Sequence, residues 1–141
     1  MVAIKICGVT RLEDALRCVA LGVDAIGVNV WPGSPRSVDL TTARALGDAV
    51  AGRARVVLVL VDSSPSEIAR ARSATGIAWV QLHGREPDAW VRAALPSAMK
   101  AVPLGDEDHV RAAIAAPGIE VLVDARVPGQ LGGTGVRAPL G

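Results

Sequence analysis

The feature that most constrains this chain is a recurring pair of segments. A short, continuously apolar run is followed by a longer stretch with helix start and stop signals. The runs fall at residues 2–7, 25–30, 55–61, 78–82, 99–102 and 119–124. They are rich in Val and Ile and do not alternate polar with apolar. Strands of this kind are covered on both faces, as in parallel sheets whose crossovers are helices. Helical stretches fill the gaps at 14–21, 41–50, 65–74, 87–94 and 106–115. Thr10-Arg11-Leu12-Glu13 reads as a capping box for the first, with Gly22 as its stop. Asp39 reads as the cap of the second. Ser64-Pro65-Ser66-Glu67 offers an N-cap, a proline at the first helical position and a glutamate at the third, with Gly76 beyond the end. Successive strands start roughly 20 to 30 residues apart, the size of one minimal βα unit.

This pattern predicts an α/β fold and a single domain over residues 1–141. It leaves two architectures open. A sheet that curls keeps all its helices on one side, and an open doubly wound sheet carries them on both. Half the residues are hydrophobic, but the chain has no Phe, no Tyr and three Trp. A core must therefore be built from Val, Leu, Ile and Ala.

A formal net charge of +1 argues against nucleic-acid or membrane-surface partners. The longest aliphatic run, residues 56–61, is far too short to span a bilayer. No signal-like segment opens the chain, and two cysteines, Cys7 and Cys18, do not make a disulfide framework. The expected location is the cytoplasm. His83 and His109 are too few and too distant in sequence to suggest a zinc site, so no metal is expected.

Chemistry in parallel α/β folds gathers at the C-terminal ends of the strands. Cys7 ends the first run and precedes Gly8, which lets a ligand approach the backbone closely. On residue type alone Cys7 is a small hydrophobe; at a strand end its thiol can serve as base or nucleophile. Asp124 follows Val121-Leu122-Val123, where a carboxylate is costly to bury without a partner or a task. Together they offer an acid–base couple. Arg36, after Ser34-Pro35, is either a solvated turn residue or a guanidinium fork for a carboxylate or phosphate. Gln81 and His83 bracket the end of the fourth run; a lone histidine of this kind is structural or shapes a pocket. The glycine-rich stretch from Gly129 to Gly135 lacks the Gly-Lys-Ser/Thr ending of a P-loop and reads as a flexible loop.

Taken in order, these motifs resemble phosphoribosylanthranilate isomerase, a (β/α)8 family of tryptophan biosynthesis. The resemblance rests on Lys5-Ile6-Cys7-Gly8-Val9-Thr10, Asp24-Ala25-Ile26-Gly27, Ser34-Pro35-Arg36 and Gln81-Leu82-His83-Gly84-Arg85-Glu86. Asp124, with Pro128-Gly129 and Gly132-Gly133-Thr134-Gly135, completes it. It implies an Amadori rearrangement of a small-molecule phosphosugar with no metal or organic cofactor. By resemblance, Asp124 is the general acid, Cys7 the general base and Arg36 the contact for the anthranilate carboxylate. Gln81, His83, Gly132 and Gly133 complete the implied substrate site.

The last six residues, Val136-Arg137-Ala138-Pro139-Leu140-Gly141, depart from the family pattern. A barrel of this type typically has about 250 residues, and its phosphate site is formed by the loops after strands seven and eight. The expectation is therefore an incomplete barrel with about six strands, C-terminally truncated, lacking its last two units and that phosphate grip. Its open sheet edges predict self-association and poor solubility. Two readings follow: an isomerase with Cys7 and Asp124 in catalytic places, or a truncated and inactive barrel fragment. A related phosphate-binding barrel of the same pathway is a third, against which Cys7-Gly8 and Gln81-Leu82-His83-Gly84 speak.

Overall fold

Six parallel strands lie in the order β1-β2-β3-β4-β5-β6, each beside its neighbour in sequence. They are β1 (Lys5–Cys7), β2 (Ala25–Asn29), β3 (Arg55–Leu60), β4 (Trp79–Leu82), β5 (Ala98–Pro103) and β6 (Glu120–Asp124). Five helices alternate with them: α1 (Leu12–Ala20), α2 (Leu40–Val50), α3 (Pro65–Thr75), α4 (Asp88–Ala93) and α5 (Glu107–Ala115). This computed structural model describes residues 3–105, 107–115 and 118–124.

The strand order decides between the two architectures. It never reverses, so right-handed crossovers put every helix on the same face. Contacts between distant strands show that the sheet also curls. Lys5 of β1 reaches Gln81 of β4 at 2.9 Å, and Arg55 of β3 reaches Glu120 of β6 at 2.8 Å. In a flat sheet β1 and β4 would stand about 14 Å apart, three strand spacings, and their side chains would rise without converging. The chain thus forms the curled part of a (β/α)8-type barrel with its helices outside.

Residues in register across parallel strands share a face. Ile26, Leu58, Val80 and Ala98 point outward and meet Ala43, Leu46, Ile68 and Val91 of the helices, forming the main core. Lys5, Cys7, Arg55, Gln81 and Glu120 take the opposite parity and face the concave side, with His83 and Asp124 two residues beyond inward positions. Each strand thus looks uniformly apolar in sequence because one face is core and the other is interrupted by only a few polar groups.

The helix starts follow local chemistry, with one correction. Ser64 caps α3 through a complete capping box with Glu67, and Gly76 closes the helix at φ 72°. Asp39 caps α2, its carboxylate accepting from the Thr42 N–H at 2.7 Å. Thr10 does not cap α1. The N-cap is Arg11, which makes no side-chain cap, and Glu13 pairs instead with Arg17 at 2.7 Å. Thr10 lies one residue too early for its hydroxyl to reach the third N–H of the helix.

The first strand also departs from expectation. Among the described residues it covers Lys5–Cys7, while residue 2 of the expected run lies outside them. The Ile4 N–H donates to the Asp24 side chain at 2.7 Å, although its carbonyl still accepts from the Ala25 N–H of β2. Ile4 and Ile6 remain 53% and 42% exposed, so β1 is not the buried strand its composition suggests. Among the described residues β1 and β6 are the outer strands of the sheet, which accounts for the difference.

Candidate active site

Cys7, Arg36, His83 and Asp124 lie at the C-terminal rim of the concave face, whereas Arg55 and Glu120 pair at the N-terminal ends of β3 and β6. Cys7 closes β1 with its residue exposed. Beside it in register is Gly27, and a methyl group there would stand 2.8 Å from the Cys7 sulfur and 2.9 Å from the Lys5 ammonium. Thiol and ammonium thus both lean over Gly27 and are separated by less than the sum of those two distances. Any larger residue at 27 would displace both.

Arg36 arrives from the turn after β2. Its own N–H donates to the Ser34 hydroxyl at 3.2 Å, and its guanidinium donates to the Cys7 carbonyl at 3.0 Å. The guanidinium lies flat against Gly8, whose φ of +80° also requires glycine. The group that closely approaches Gly8 is Arg36 of the chain itself, in place of the ligand expected from the sequence. One consequence is that Cys7, Gly8 and Arg36 form a single unit although 29 residues separate the cysteine from the arginine.

A chain of hydrogen bonds crosses the concave face from β1 to β6. Lys5 Nζ donates to Gln81 Oε1 at 2.9 Å. Gln81 Nε2 lies 2.7 Å from His83 Nδ1, and His83 Nε2 lies 3.1 Å from Asp124 Oδ2. Gln81 is 1% exposed, so its polar atoms need these partners. The backbone of Asp124 is pinned as well: its carbonyl accepts from the Leu104 N–H at 2.7 Å.

A second buried network supports the rim from outside. The Glu86 side chain is fully buried and pairs with Lys100 Nζ at 2.7 Å. Glu86 Oε1 also accepts from the Asp62 and Gly84 N–H groups, each at 3.0 Å. Lys100 donates to the Gly84 carbonyl at 2.6 Å. This latch joins the loops after β3 and β4 and holds the backbone that carries His83. It is a structural device. Glu86 was legible only as part of a motif, and nothing in the sequence marked Lys100 as its partner.

Of the residues singled out in the sequence, Cys7, Arg36, Gln81, His83 and Asp124 occupy this rim. Gly132 and Gly133 lie outside the described residues. Lys5 is the site residue that sequence reasoning missed. The available signal was a lone charge inside an apolar run, two positions before Cys7 and so on the same face. Among the described residues no three His, Cys, Asp or Glu side chains group as a metal site. A cleft lined by Ala54, Arg55, Gly76, Ile77 and Trp79 lies at the opposite, N-terminal end of β3 and β4, away from these groups.

Residues 4–138 match the model of the N-(5'-phosphoribosyl)anthranilate (PRA) isomerase family. The chain belongs to that family. Its sequence is 40% identical over 136 residues to the N-(5'-phosphoribosyl)anthranilate isomerase of Myxococcus xanthus. That alignment covers 94% of this chain and 64% of the relative, so the chain spans a little under two thirds of the relative's length. The crystal structure of phosphoribosyl anthranilate isomerase from Thermotoga maritima superposes with a TM-score of 0.83 at 33% identity, covering 92% of this chain and 64% of that one. Another PRA isomerase, in complex with reduced 1-(o-carboxyphenylamino)-1-deoxyribulose 5-phosphate, superposes with a TM-score of 0.80 at 34% identity, covering 89% and 66%. Among the described residues no helix is long and apolar enough to cross a membrane.

Proposed function

We propose that this chain carries the isomerase chemistry of its family. The reaction is the Amadori rearrangement of N-(5'-phosphoribosyl)anthranilate to 1-(o-carboxyphenylamino)-1-deoxyribulose 5-phosphate in L-tryptophan biosynthesis. The observation that carries this reading is the convergence of Cys7, Arg36 and the Asp124 carboxylate on one concave rim.

The geometry supports a two-stage proton transfer. Asp124 protonates the ribose ring oxygen as the C1–O bond breaks, and the nitrogen lone pair forms the C=N of a Schiff base. The Cys7 thiolate then takes the proton from C2, and the C2–H electrons form the enolamine. Tautomerisation places a carbonyl at C2 and returns a proton to C1, so the change is an isomerisation with no net redox. Positioned acid and base groups of this kind contribute about 10²–10⁴-fold each. Arg36 meets the anthranilate carboxylate with its fork of donors. Rigid strand ends keep the reacting groups in place. Gln81 and His83, with Gly132 and Gly133, complete the proposed substrate set. Two free thiols support a reducing, cytoplasmic setting. The exposed Ile6 of β1 and Val123 of β6, with Ile4 just before β1, support self-association.

The test supplies purified chain with N-(5'-phosphoribosyl)anthranilate and follows the ketose product by NMR, alongside growth of a tryptophan auxotroph expressing the chain. Turnover that disappears in Cys7→Ala is expected. A soluble, folded chain that forms no product would overturn the reading in favour of an inactive fragment.

A further inference from the structure

The Lys5–Gln81–His83–Asp124 chain has a direction, and Lys5 sets it. An ammonium has three donors and no acceptor, so the Gln81 atom that meets Lys5 must be its carbonyl oxygen, as observed at 2.9 Å. The amide NH2 is then forced toward His83 and stands 2.7 Å from Nδ1. Because that NH2 only donates, Nδ1 must present its lone pair. A neutral imidazole carries one N–H, which is thereby left on Nε2, 3.1 Å from Asp124 Oδ2.

We propose that Lys5 is a positioning residue: acting through the Gln81 amide, it fixes His83 as the Nε2–H tautomer and so aims an N–H donor at the Asp124 carboxylate. Burial makes the mechanism stiff. Gln81 is 1% exposed, and turning its amide over would set an NH2 against the ammonium and a carbonyl oxygen against a lone pair. The chain spans β1 to β6, so a charge on one outer strand orients a carboxylate on the other. Two further features make Lys5 suited to this. It shares the concave face with Cys7, and its ammonium leans over Gly27 beside the Cys7 sulfur. The tautomer itself is independent of any turnover; its consequence for catalysis rests on the role proposed above for Asp124.

The experiment is a long-range 1H–15N NMR spectrum of the uniformly 15N-labelled chain, with the His83 ring assigned by comparison with His109→Gln. In the wild-type chain, His83 Nδ1 is expected in the unprotonated range and Nε2 in the protonated range. Lys5→Met frees the amide to rotate and should give mixed tautomers, while Lys5→Arg, also purely a donor, should restore the single one. Gln81→Glu can only accept, and should move the proton to Nδ1. A wild-type spectrum showing Nδ1–H overturns the inference without any variant. So does a folded Lys5→Met chain that keeps a single Nε2–H tautomer. An Nε2–H ring in a chain without isomerase activity would defeat the proposed function and leave Lys5's role standing; an active chain with Nδ1–H would do the reverse.

Discussion

The guanidinium of Arg36 rests on Gly8, close enough that a methyl group at position 8 would stand 2.6 Å from one of its nitrogens. The contact ties the loop after β2 to the end of β1 and places the arginine beside the Cys7 carbonyl. Gly8 also holds a φ of +80°, which costs a side-chain-bearing residue about 1–2 kcal/mol. Gly8→Ala should therefore lower stability by about that amount and dislodge Arg36. In the isomerase assay KM should rise more than kcat falls, since the arginine's proposed task is binding. An alanine variant with unchanged stability and KM would contradict this account of the loop.

Cys7→Ala and Asp124→Asn should each lower kcat by about 10²–10⁴-fold, the range for a lost general base or acid. Cys7 is exposed, so its removal should change the unfolding free energy by no more than about 0.5 kcal/mol. Steady-state kinetics paired with urea unfolding separates lost chemistry from lost fold. Equal rates in wild type and Cys7→Ala would remove the thiol from the mechanism.

Lys100→Met would leave the fully buried Glu86 carboxylate without its cation. Removing one partner of such a pair costs about 3–5 kcal/mol. Glu86→Gln should cost less, because the amide oxygen can still accept from the Asp62 and Gly84 N–H groups. Urea unfolding should rank the variants in that order, and the reverse order would show that the latch is not what holds the rim.

Asp39 predicts an acid-side loss of stability. The Thr42 backbone N–H, followed by its side chain, holds the Asp39 carboxyl below its ordinary value. A folded-state pKa that is depressed contributes stability above the unfolded value of about 3.9, and this is lost as pH falls through the folded value. Asp39→Asn keeps a capping oxygen but does not titrate. Its stability, measured by urea unfolding at pH 7 and pH 3, should therefore fall less than that of the parent over the same interval. An identical fall in both chains would mean that the cap makes no contribution to the acid sensitivity.

Local chemistry alone was enough to determine the βα alternation, the Ser64 and Asp39 caps, Cys7 and Asp124 at strand ends and Arg36 in the turn after the second strand. Those signals depend on neighbours within a few positions, which the sequence states directly. Thr10 shows the limit of that kind of reading: a motif with the right letters failed because the helix began one residue later than its register required. The choice between a curled and an open doubly wound sheet depended on which strands are neighbours, and the strand order together with the Lys5–Gln81 and Arg55–Glu120 contacts decided it. The tertiary structure alone likewise made Lys5 part of the site and seated Arg36 on Gly8. Hydrogen bonds between residues 29, 41 or 76 positions apart form only after the sheet has closed the distance, so no local pattern encodes them.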